Sequence, residues 1–168
     1  MEILNISLFF STLLCSLVTG FILTYAIVVM PGLSKLDDKE FIKAFQVTDG
    51  IIQNNQPIFI LIWVGSIISV VSTIIMSIFT LGLLEAWKII FVSLVYLIGV
   101  QAITIIIHLP LNRRIQKIDI NSISSQSLNE ERKNFETKWN YFNNIRSGIA
   151  LFVVLIFLLI LTLSLIHI

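Results

Sequence analysis

The chain is poor in charge, in cysteine and in recognisable catalytic motifs. Of its 168 residues, 12% are Asp, Glu, Lys or Arg, against roughly 25% in an ordinary soluble domain. The one cysteine, Cys15, excludes a disulfide framework and a CxxC redox pair. No phosphate-binding loop, dinucleotide fingerprint, zinc-spaced cluster or Gly-x-Ser-x-Gly elbow is present. A net charge of +1 gives no sign of a nucleic-acid partner. No metal site and no cofactor are implied.

Apolar residues make up 57% of the chain, and the mean hydropathy is +0.96. Residues 3–34, 50–84, 89–112 and 147–168 carry no formal charge. Each stretch exceeds the 20 or so residues that cross a hydrocarbon core. Without barrel-type alternation, a helical bundle is the reasonable spanning structure. The chain therefore reads as all-α, a single integral membrane domain over 1–168, with spans near 4–30, 57–81, 86–109 and 146–166. The first is too long, and its leader too acidic at Glu2, for a cleaved signal peptide. Pro31-Gly32 and Pro110 are expected to stop the first and third spans, and Pro57 to sit in the first turn of the second. No Asp or Glu lies within a span, which argues against proton-coupled transport.

The connections of residues 31–56 and 110–146 hold ten cations, against one near residue 85. The positive-inside rule then puts both long loops in the cytoplasm and both termini outside. A bacterial plasma membrane is the default location. In the first loop, Phe41, Phe45, Thr48 and Ile52 recur at helical spacing, with Lys39, Lys43 and Gln46 turned away. This predicts an amphipathic helix in the membrane interface. In the second, Ser127-Leu128-Asn129-Glu130 reads as a capping box opening a helix that runs on into the fourth span.

Small residues mark where helices meet in lipid. Thr12, Ser16 and Gly20 form such a stripe, as do Ser66, Ser69, Thr73 and Ser77. In the third span Ser93, Gln101, Thr104 and His108 fall within an arc of roughly 80° at 100° per residue. Gln101 and His108 are large polar groups that hydrocarbon does not tolerate unpaired, so they should face a partner or a wet cavity. Phe135, Trp139, Phe142 and Arg146 share a helical face, which would let Trp139 hold Arg146 by cation–π contact, aimed at an anionic ligand.

Three segments carry a resemblance. They are Val28-Val29-Met30-Pro31-Gly32-Leu33 followed by Asn55-Gln56-Pro57, then His108-Leu109-Pro110-Leu111-Asn112, then Lys138-Trp139-Asn140-Tyr141-Phe142-Asn143-Asn144-Ile145-Arg146. Together with the span count they resemble the anthrone-oxygenase-like family of small four-helix membrane proteins, over nearly the whole chain. The family pattern reads Asn-x-Pro-Leu-Asn at the turn, and tryptophan with His-x-x-Arg before the fourth span. Pro110, Leu111, Asn112, Trp139 and Arg146 match it. His108 replaces the usual asparagine, Asn143 the usual histidine, and Phe142 a second common tryptophan.

The resemblance implies oxidation of a flat, phenolic anthrone to an anthraquinone by molecular oxygen. His108 is then the expected base and Arg146 a catalytic donor, with Asn112, Trp139, Asn143 and Gln101 binding substrate. The expected partners are membrane lipids and a lipophilic aromatic ligand. Two other readings stand beside it: a non-catalytic protein holding a lipid or quinone-like ligand, and an assembly partner in a homo-oligomer or larger membrane complex.

Overall fold

The computed structural model describes residues 2–166. Four long helical rods account for most of them, all long and apolar enough to cross a membrane. The first runs Glu2–Leu33: helix α1 (Glu2–Thr24), a π-helical turn at Tyr25–Val29, and the short α2 (Met30–Leu33). Helix α3 (Asp38–Gln53) fills the first long connection. The second rod is α4 (Pro57–Leu81). The third, Leu83–Gln116, comprises α5 (Leu83–Tyr96), π-helical turns at Leu97–Ala102 and Thr104–His108, and α6 (Leu109–Gln116). The fourth is α7 (Ser125–Ile166), 42 residues without a break.

Both expected proline stops are corrected here. The rods pass through Pro31 to Leu33 and through Pro110 to Gln116. Proline lacks an N–H and crowds the carbonyl four residues before it. Widened turns just upstream, at Tyr25–Val29 and Thr104–His108, absorb both defects, so the axis continues. The fourth rod also starts earlier than the capping box suggested. Ser124 caps it, its Oγ accepting from Ser127 N at 3.2 Å.

The bundle buries its hydroxyls and turns its alkyl groups outward, as lipid solvent requires. Ser66, Thr73 and Ser77 are fully buried, while Leu61, Phe79 and Ile106 lie exposed on outer faces. Thr73 Oγ1 bonds the hydroxyls of Ser7 and Ser11 at 2.7 and 2.8 Å, tying α4 to α1. Other hydroxyls return to their own helix: Thr12 donates to Leu8 O and Thr19 to Cys15 O, both at 2.7 Å. Gly20, expected on the packing stripe, faces outward with nothing near it. The close approach falls instead at Gly99, where an added Cβ would meet Ile149 of α7 at 2.8 Å.

The apolar face of α3 is covered by protein rather than laid against lipid. Phe41, Ile42 and Phe45 are fully buried, packed with Ile115, Phe135 and Trp139. Gln46, expected to point away, donates to Ile115 O at 2.9 Å and Ile118 O at 2.8 Å. Arg132 of α7 fastens the approach to α3. Its guanidinium donates to Leu36 O (2.8 Å), Ser34 O (3.0 Å) and Asp38 Oδ1 (3.0 Å), and lies 4.5 Å from the Phe41 ring. Helix α3 thus roofs the end of the bundle that carries both long connections.

Candidate functional site

Beneath that roof lies a cavity of about 340 Å³. Phe21, Phe59 and Ile60 give it apolar walls on the α1 and α4 side, while His108, Asn112, Trp139 and Arg146 come from the third and fourth rods. Four of the six residues singled out in the sequence therefore stand around one space. The π-helical turns sit where the site needs them, since Tyr25, Thr104 and His108 all belong to widened turns and all line the cavity.

Arg146 is 6% exposed and pairs with no carboxylate among the described residues. Its Nε donates to Asn143 Oδ1 at 3.0 Å and its Nη1 to Thr104 Oγ1 at 2.9 Å. Its guanidinium carbon lies 5.7 Å from the Trp139 ring. A buried cation held only by neutral oxygens and an aromatic face is costly unless a ligand compensates it. His108 stands at 2% exposure, edge-on to Trp139 with ring centroids 5.0 Å apart. Among the described residues neither ring nitrogen makes a well-formed hydrogen bond, although one lies toward the Phe142 backbone. Buried polar groups are nearly always paired, so an imidazole this weakly engaged in a cavity wall is a candidate ligand contact.

A polar relay closes the roofed end. Trp139 Nε1 donates to Asn112 Oδ1 at 3.0 Å, and Asn112 Nδ2 donates to Asp49 Oδ1 at 2.7 Å. Gln116 Nε2 donates to the other Asp49 oxygen at 3.2 Å. Asp49 is 2% exposed, and burial pushes its carboxyl above the usual carboxylate range, with the Gln116, Gln53 and Asn112 side chains pulling the other way. Sequence reasoning missed this residue. The signal was available: Asp49 follows Phe41 and Phe45 at four-residue steps, a carboxylate on an otherwise apolar stripe.

Two expected ligand-binding residues stand outside the cavity. Gln101 turns toward α4, its Nε2 donating to Tyr96 OH at 2.8 Å and Ser66 Oγ at 3.1 Å, while Tyr96 OH donates to Ser66 Oγ at 2.9 Å. Its large polar group is satisfied by other helices rather than by a ligand, except at Oε1, which has no partner. Asn143 is likewise engaged on both sides, donating to Ile22 O at 3.2 Å and accepting from Arg146. It positions the guanidinium instead of reaching the cavity. No group of three or more His, Cys, Asp or Glu side chains suited to a metal occurs among the described residues.

A sequence profile described as anthrone oxygenase matches residues 52–156. The chain belongs to the anthrone oxygenase family. The match takes in the turn at Pro57, the His108–Asn112 segment and the Trp139–Arg146 stretch, and it begins after Val28–Leu33 and Asp49. No curated protein and no solved structure matches the chain.

Proposed function

We propose that this family member is a membrane oxygenase that binds a flat, lipophilic phenolic aromatic in the cavity beneath α3 and oxidises it with molecular oxygen. The observation that carries the reading is His108, buried with neither ring nitrogen in a well-formed hydrogen bond, sharing an apolar cavity with an Arg146 guanidinium that pairs with no carboxylate among the described residues. An anthrone is neutral when it partitions into lipid and anionic once it loses a ring-carbon proton. His108 takes that proton. Arg146 and the remaining amide hydrogen of Asn112 steady the enolate oxygen, while Trp139 walls the ring system. The carbanion passes electrons to dioxygen, and a hydroperoxide forms at the same carbon. That carbon loses its second hydrogen as water leaves, giving the quinone carbonyl; one dioxygen is consumed and one water released per turnover. With both long loops in the cytoplasm, as the cation count implies, the site lies at the cytoplasmic face.

The test is oxygen uptake by purified protein supplied with anthrone, with appearance of the anthraquinone. His108→Ala and Arg146→Ala should each abolish the protein-dependent rate. No oxygen-dependent turnover of any anthrone or related phenol would reject the reading.

A non-catalytic ligand-binding role has one observation in its favour. Asn143 occupies the position of the family's usual histidine and is bonded on both sides. Saturable binding of an aromatic with no oxygen consumption would favour this second role.

A further inference from the structure

We infer that Asp49 is a second recognition group of the cavity, selecting aromatic ligands that carry an O–H or N–H donor at the end opposite their acidic oxygen. The inference rests on the reading of the cavity as an aromatic site and adds to it a residue and a ligand pattern.

The two charged groups are set apart along the third rod. Arg146 is fixed at the level of Thr104, and Asp49 at the level of Asn112 and Gln116. Eight residue steps separate Thr104 from Asn112, an upper bound of about 12 Å at the α-helical rise of 1.5 Å per residue, shortened by the π-helical turn at Thr104–His108. His108 falls midway, against Trp139. The cavity therefore presents a cation, then an imidazole and an indole, then a carboxylate, over about the length of a three-ring aromatic.

Asp49 is buried and makes no salt bridge among the described residues. Its oxygens accept from Asn112 and from Gln116, and the Gln53 side chain lies close enough to donate as well. A carboxylate offers about four lone-pair positions, so acceptor capacity is left over even with three donors. A ligand with a plain hydrocarbon edge would strip water from this carboxylate and return nothing. A ligand with a donor at that edge completes it. Sites built on buried polar groups reject analogues lacking the matching group far more strongly than apolar pockets reject an extra methylene. Asp49 precedes the residues matched to the family, so this selection belongs to a part of the chain that the family match does not cover.

The test uses the full-length protein in detergent and three probes: anthrone, an anthrone with a ring hydroxyl remote from its keto oxygen, and the methyl ether of that compound. Affinity is read from quenching of Trp63 and Trp139, both of which line the cavity. The hydroxylated probe should bind about tenfold or more tightly than its methyl ether, the effect of a hydrogen bond to a charged acceptor. In Asp49→Asn, whose amide oxygen can accept but carries no charge, the ratio should fall about threefold or more, and in Asp49→Leu to near unity. A wild-type ratio near unity overturns the inference even if the variant fails to fold, and so does an unchanged ratio in a folded variant. Equal binding of all three probes removes the role of Asp49 and leaves the aromatic site standing. Absence of binding by every probe removes both.

Discussion

The indole N–H of Trp139 donates to Asn112, whose amide in turn donates to Asp49, so three elements meet in one chain of hydrogen bonds at 3.0 and 2.7 Å. Trp139 is thus both a wall of the cavity and a support for the roof. Trp139→Phe keeps a ring against His108 and removes the donor. A neutral hydrogen bond contributes about 1 kcal/mol, and the orphaned Asn112 oxygen adds to the loss. The melting temperature should fall by several degrees, and discrimination between hydroxylated and methylated probes should weaken because Asn112 is no longer held.

Arg146 gives the opposite balance. It is a buried cation paired with no carboxylate among the described residues, held in place by Asn143 and Thr104. Arg146→Met has similar volume and no charge. Removing a lone buried cation relieves a desolvation cost of roughly several kcal/mol, against about 1–3 kcal/mol for the Asn143 oxygen it leaves without a donor. Thermal unfolding in detergent should occur at an equal or higher temperature, while affinity for an anionic aromatic is lost. A strongly destabilised Arg146→Met would mean that the guanidinium holds the bundle together rather than waiting for a ligand.

The pH dependence of stability isolates Asp49. Burial raises its carboxyl in the folded state, so between the unfolded value, about 3.9, and the raised folded value the native protein binds more protons than the unfolded chain. With respect to this group stability is greatest below that window and declines as pH rises through it. Asp49→Asn removes that decline. Melting curves from acid to neutral pH should show the stability of the variant gaining on that of the wild type as pH rises, then running parallel above the window. Parallel curves throughout would show that the carboxyl titrates normally.

Gly99 tests the packing of the third rod on the fourth. Gly99→Ala drives a methyl into the Ile149 side chain, with contacts of 2.8 and 2.9 Å. Such overpacking costs about 1–3 kcal/mol. Adding Ile149→Val should recover part of the loss, because trimming the neighbour relieves one of the two contacts. Additive rather than compensating effects would place the strain elsewhere.

Much of this was legible in the sequence because lipid imposes simple rules. Charge-free runs marked the four rods, and the alignment of Trp139 with Arg146 on one helical face pointed to their meeting. What stayed hidden depends on tertiary context. Pro31 and Pro110 read as stops because local rules treat proline alone, whereas π-helical turns carry the axis past them. Gln101 read as a ligand contact because its satisfaction by Tyr96 and Ser66 comes from residues five and thirty-five positions away. The buried face of α3 read as lipid-facing because a helix alone cannot say whether protein or membrane covers it. Asp49 was overlooked with it.

The fourth rod carries Arg132, Trp139 and Arg146 at seven-residue steps along an unbroken helix. The first latches the segment leading to α3, the second stands beside His108, and the third is the buried cation. Because one rigid shaft bears all three, a twist or slide of that shaft displaces latch, wall and anchor in concert. Roof, cavity wall and guanidinium therefore share one mechanical support, and a change in the seating of the fourth rod is felt at all three.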